Sequence, residues 1–133
     1  VNDESRDLWE RARDSLRAAE ALLPISADAA ASRAYYAAFF AVSALFALEG
    51  RTFRRHSAVE AAVHRDLVRT GRWPAERGAT YARLFELRQT GDYGVGEHVT
   101  PADARQAAEA ARDILAAVAA EGPEEFAQAG GDD

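Results

Sequence analysis

The chain contains no cysteine, no lysine and no methionine. Without cysteine there can be no disulfide, no thiolate nucleophile and no cysteine-ligated zinc. Without lysine, all sixteen basic residues are arginine, and alanine is abundant. A GC-rich coding sequence produces both features, so the number of arginines is by itself poor evidence for nucleic-acid binding. Nine glycines and four prolines punctuate the chain rather than fill it, which confines expected disorder to the last residues. No uninterrupted apolar run reaches the roughly 18 residues needed to span a bilayer, and the charged first residues do not read as a signal peptide. The expectation is a cytoplasmic protein that does not engage membranes. At 133 residues it forms one domain able to bury a core unaided.

What is present is an unusual aromatic helix. Ser32 to Phe46 reads SRAYYAAFFAVSALF, with Tyr35, Tyr36, Phe39 and Phe40 inside six positions. Large apolar groups fall on nearly every side of that helix, as in one enclosed by others. Tyr35, Phe39, Val42 and Phe46 form a packing stripe, whereas Arg33 and Tyr36 lie on a different side.

Around it the helical pattern repeats. Trp9, Ala12, Leu16, Ala19 and Leu23 give a first helix over about 3–23, stopped by Pro24. Ser26 or Asp28 caps the central helix, which Gly50 ends near Glu49. Ser57 and Glu60 have capping-box spacing, so a third helix is expected to start at Ser57 and to close at Gly71. Trp73-Pro74 opens a fourth, with proline at its first position, and Arg88 in its last turn. Three glycines in TGDYGVGEHV, residues 90–99, predict a shaped loop. Thr100-Pro101-Ala102-Asp103 restarts a helix whose alanine-rich stripe runs from Ala104 to Val118. No segment reads as a strand. The fold class is all-α, an antiparallel up-and-down bundle of four to five helices over residues 1–122, with an acidic flexible tail at 123–133.

The net charge is −6, but it is uneven. Residues 51–88 hold nine arginines against four acids, whereas residues 89–133 hold two against ten. An acidic protein with one basic segment can offer a local anion site but does not suit non-specific duplex binding. Arg51, Arg54, Arg55 and His56 lie together ahead of a helix N-terminus, where guanidinium forks and backbone N–H groups suit phosphate. A solvated connector is the plain alternative. Arg88, Asp92 and Tyr93 form a second candidate cluster, either structural or ligand-facing. The three histidines show no metal-ligand spacing, so neither metal nor cofactor is expected.

Taken in order, Ser32-Arg33-x-Tyr35-Tyr36-x-x-Phe39, the basic run into His56-Ser57, Leu84-x-x-x-Arg88-x-x-x-Asp92-Tyr93 and Thr100-x-x-x-Ala104 resemble a HEPN domain over roughly residues 5–120. The resemblance implies a compact helical bundle that is often a homodimer. It also implies membership of a toxin–antitoxin-like pair whose partner is a small MNT-type nucleotidyltransferase, and a role in binding nucleotide or RNA. Some HEPN proteins are metal-independent ribonucleases, with Arg, four to six residues, then His near the start of the last long helix. Here Asp92 and Tyr93 follow Arg88 instead, and an aspartate cannot replace an imidazole base of pKa near 6.5. Arg51-x-x-x-x-His56 fits the spacing literally but precedes the third helix. The leading expectation is therefore a nucleotide or RNA binder using Arg88, Asp92 and Tyr93. Arg33 and Tyr36 would be their neighbours, with Arg54, Arg55 and His56 at the rim. A ribonuclease using Arg51 or Arg88 with His56, and a non-catalytic docking module, are the alternatives.

Overall fold

The computed structural model describes residues 1–131 and is all-α, a bundle of six helices. Helix α1 (Asp3–Leu22) starts from a capping box of Asn2 and Ser5, outside the usual Ser/Thr-x-x-Glu/Gln pattern. The Asn2 side chain accepts from the Ser5 N–H at 2.7 Å, and Ser5 Oγ accepts from the Asn2 N–H at 3.3 Å. The same Asn2 donates to the Ala47 carbonyl at 3.0 Å, tying the start of α1 to the end of α2. Trp9, Ala12 and Ala19 are buried as their spacing predicts, while Leu16 is only partly covered.

Helix α2 (Ala27–Leu48) is capped by Ser26, whose Oγ accepts from the Ala29 N–H at 3.1 Å. It packs along α1, α5 and α4. Ala30, Ala34, Ala37, Ala38, Ala41 and Ala44 are completely buried, so the neighbours approach its backbone closely on several sides. By length and composition α2 is apolar enough to cross a bilayer, which amends the expectation drawn from uninterrupted runs. Two-thirds of that stretch is buried within the bundle.

Helix α3 (His56–Ala62) has its N-cap two residues before the Ser57 of the capping-box spacing. Arg55 occupies the N-cap position and no side chain caps it, because the imidazole of His56 is held against α2 and fixes where the helix starts. The chain continues directly into a π-helical stretch (Val63–Val68) and then turns at Gly71, which has φ +84°.

Helix α4 (Ala75–Tyr93) follows Pro74, which is its N-cap rather than its first residue. It departs from expectation at its other end. Gly91, Asp92 and Tyr93 are helical, not part of a loop, and Arg88 lies more than a turn from the end. Gly91 is there for space: a Cβ would sit 2.6 Å from the Asp28 carbonyl oxygen on α2. The short loop from Gly94 is pinned to α2 by Asp28, which accepts from the Val99 N–H at 2.7 Å and pairs with His98 Nδ1 at 2.7 Å. That bond to His98, with the Val99 N–H second, lowers the Asp28 pKa.

Helix α5 (Pro101–Glu121) starts as expected, with Thr100 Oγ1 accepting from the Asp103 N–H at 3.0 Å. Its stripe from Ala104 to Val118 is buried as predicted. The expected flexible tail is instead a helix, α6 (Glu124–Gly131). Its register places Phe126 on the indole of Trp9, ring centroids 4.6 Å apart and nearly parallel. Glu125 accepts from Arg6 at 2.5 Å. An acidic composition hid one large apolar anchor; residues 132–133 of the expected tail lie outside the described residues.

In an open helix, glycine to alanine stabilises by about 0.5–1 kcal/mol. Gly91→Ala should do the opposite and cost about 1–3 kcal/mol, because the added methyl meets backbone rather than a movable side chain. Urea unfolding followed by circular dichroism reads the sign.

Candidate functional site

The helical course of residues 88–93 decides the geometry of the site. Asp92 stands one turn after Arg88 on α4, and its Oδ2 accepts from Arg88 Nε at 2.9 Å. Arg88 Nη2 crosses to α2 and donates to Tyr36 Oη at 2.9 Å, with Tyr93 Oη at 3.4 Å. The guanidinium also lies over the rings of Tyr93, Tyr36 and Tyr35, at 5.2, 5.4 and 5.7 Å from their centroids. Arg33 covers the Tyr36 ring at 4.5 Å. These hydrogen bonds use Nε and Nη2, and Nη1 takes no part in them. The Arg88 side chain is 12% exposed, whereas Tyr93 is 64% exposed. Burial opposes the Arg88 charge, but Tyr36, Tyr93 and Asp92 together outweigh it and raise its pKa.

His56 joins the same patch from the start of α3. Its ring stacks on Phe39 at 4.2 Å and meets the Tyr36 ring edge-on at 5.5 Å. Its Nδ1 is 2.9 Å from Tyr35 Oη. Burial, then the nearby Arg88 charge, push the His56 pKa below the usual histidine value. Burial likewise pushes the Tyr35 phenol up to about 12. His56 and Arg88 therefore share one aromatic floor made by Tyr35 and Tyr36.

Other candidate residues lie apart. Arg51 pairs with Asp66 at 2.7 Å and stacks over Phe46 and Phe53, so its spacing to His56 does not create a joint site within the chain. Arg65, then Arg51, hold the Asp66 carboxyl well below the usual range. Arg54 and Arg55 are exposed on the connector next to His56. A hollow of about 280 Å³ between α4 and α5, lined by Thr80, Arg83, Leu87 and Gln106 among others, contains none of the cluster. The arginine–tyrosine–histidine patch carries the recognisable chemistry, and we take it as the candidate site in preference to the apolar hollow. Tyr35 and Phe39, read from sequence as core alone, are also His56 partners. The signal for this was the only histidine standing at a helix start downstream of paired tyrosines.

The HEPN domain model matches residues 5–122. The chain belongs to the HEPN domain family. It is 46% identical over 90 residues to a UPF0332 protein of Thermotoga maritima, covering 66% of this chain and 68% of that one. The crystal structure of TT1696 from Thermus thermophilus superposes with a TM-score of 0.73 at 25% identity, covering 94% of this chain and 99% of the other. The matched HEPN span ends at residue 122, just past the close of α5 at Glu121.

A histidine whose folded pKa lies below its unfolded value binds its proton more readily after unfolding. Its contribution to stability is therefore present near pH 7 and is lost as pH falls through about 6.5 toward the folded pKa. The difference in unfolding free energy between wild type and His56→Gln should shrink from pH 7 to pH 5. A difference that grows over that interval would contradict the assigned shift.

Proposed function

We propose that the Arg88–His56 patch of this HEPN domain binds the phosphate of a nucleotide or of RNA. We further propose that the protein serves a two-gene, toxin–antitoxin-like module alongside an MNT-type nucleotidyltransferase. The observation that carries the binding reading is the state of Arg88. Its guanidinium is largely desolvated and immobilised by Asp92 and Tyr36, with Nη1 uncommitted among those contacts. A fixed guanidinium loses little freedom on meeting a phosphate, and such charged hydrogen bonds are among the stronger ones. The surrounding rings of Tyr36, Phe39 and Tyr93 suit the flat face of a base, since aromatic stacking is tolerant of sequence.

Asp92 tempers this picture usefully. Its charge lowers the local positive potential while it aims the guanidinium, so it disfavours indiscriminate polyanion binding. In a homodimer, which we propose as the working form, two such patches would add to each other within a protein of negative net charge. Sedimentation tests that form directly.

A second reading, a metal-independent ribonuclease, is favoured by one fact: His56 and Arg88 lie on one floor although 32 positions separate them in sequence. A histidine of lowered pKa is neutral at pH 7, as a base must be. Without any saturable ligand, the docking role toward the nucleotidyltransferase would be what remains.

Fluorescent nucleotides and short single-stranded RNA should bind wild type, and Arg88→Ala should weaken binding by about 10-fold or more. Arg51→Ala, on the far pair with Asp66, should bind as wild type does. Equal binding by wild type and Arg88→Ala, with both folded by circular dichroism, would sink the reading. Cleavage of the RNA by wild type, lost in both His56→Ala and Arg88→Ala, would move the protein to the ribonuclease class.

A further inference from the structure

We infer that Tyr35 is a positioning residue that holds His56 as its Nε2–H tautomer. Arg88 and His56 then both present hydrogen-bond donors to an oxyanion. This rests on reading the Arg88–His56 patch as the phosphate site.

The argument begins with the hydroxyl of Tyr35. Its residue is completely buried, and it lies 2.9 Å from His56 Nδ1, within hydrogen-bonding distance. A phenol has a single hydrogen to give. If Nδ1–H were the donor, that hydrogen would be sealed from water with only the Tyr81 oxygen to receive it, and buried donors are rarely left unpaired. Tyr81 offers no escape. It too is completely buried, its ring centroid is 6.1 Å from that of Tyr35, and its hydroxyl has no hydrogen-bond partner among the described residues. A Tyr35 hydroxyl that donates to Nδ1 leaves its lone pairs to the orphaned Tyr81 O–H, an interaction that works against burial on the Tyr35 pKa. In the opposite polarity Tyr35 can donate only to the Tyr81 oxygen, and the Tyr81 hydrogen is then left unmet.

The charge of Arg88 acts in the same direction. Burial, and then this cation on the same aromatic floor, disfavour the imidazolium, so the ring stays neutral and carries one proton. With Nδ1 accepting from Tyr35, that proton is on Nε2. Among the described residues Nε2 makes no hydrogen bond, so its N–H remains available to a ligand.

This has a chemical consequence. Arg88 can only donate, and His56 in this tautomer offers an N–H and no free lone pair. A phosphate monoester or diester, whose non-bridging oxygens only accept, satisfies both. A ribose hydroxyl that must surrender a proton finds no base in His56, because the lone pair that would take it is already occupied by Tyr35. The Arg88–His56 pair is thereby suited to oxyanion binding rather than to 2′-hydroxyl activation.

Long-range ¹H–¹⁵N correlation spectra of the full chain carrying ¹⁵N-histidine, without ligand, test this at about pH 7.5. The His56 signals are assigned by their loss in His56→Gln. The expected wild-type pattern is an unprotonated Nδ1 and a protonated Nε2. In Tyr35→Phe the Nδ1 signal should move toward the protonated range as the two tautomers mix, a change that loss of packing alone would not cause. A protonated Nδ1 in wild type, or an even mixture, overturns the inference. So does a folded Tyr35→Phe with the wild-type pattern. Should Tyr35→Phe fail to fold, the wild-type pattern decides by itself. Because no ligand is present, failure here is separate from failure of phosphate binding, which the Arg88→Ala titration reads.

Discussion

The site depends on how closely the end of α4 approaches the start of α2. Gly91 lies against the Asp28 carbonyl, where a Cβ would come within 2.6 Å of the oxygen. Asp28 in turn grips the following loop through Val99 and His98. This double fastening keeps α4 helical to Tyr93, and helical geometry puts Asp92 one turn beyond Arg88. Arg88 is then near enough to α2 to reach Tyr36. Without the approach at Gly91, the cation would have no aromatic floor.

The bundle itself was readable because its periodicity is strong. The α5 stripe from Ala104 to Val118 and the Thr100 cap are local signals, and the structure keeps them. The misjudged places are those where a distant contact overrides local chemistry. Glycine usually argues against a helix, yet Gly91 is helical because only glycine fits beside Asp28. The Ser57 capping spacing yields to the pull of Tyr35 and Phe39 on His56. The acidic end of the chain reads as a flexible tail, but one phenylalanine, Phe126, docks α6 on Trp9. None of these partners is near in sequence, so no local pattern could report them.

The candidate residues divided in the same way. Arg33, Tyr36, Arg88, Asp92 and Tyr93 were legible as a group, and the structure brings them together. Arg51 matched a short spacing pattern and went elsewhere, to Asp66. Short motifs in an arginine-rich chain carry little information, whereas a guanidinium held by Asp92 and Tyr36 over a ring carries a good deal. The sequence puts His56 at a rim, and it lies within the cluster. Tyr35 reads as core alone, yet its hydroxyl meets the site at His56. The protein therefore combines an alanine-lined scaffold with a polar edge on a single helix, α2.

The account centres on that edge as the place where phosphate is met. Chemical-shift mapping with a short single-stranded RNA tests it most directly. The account predicts saturable shifts concentrated at Arg88 Nε–H, His56 and the backbone around Tyr36 and Tyr93. Shifts confined to the hollow between α4 and α5, around Thr80, Arg83 and Gln106, would contradict it.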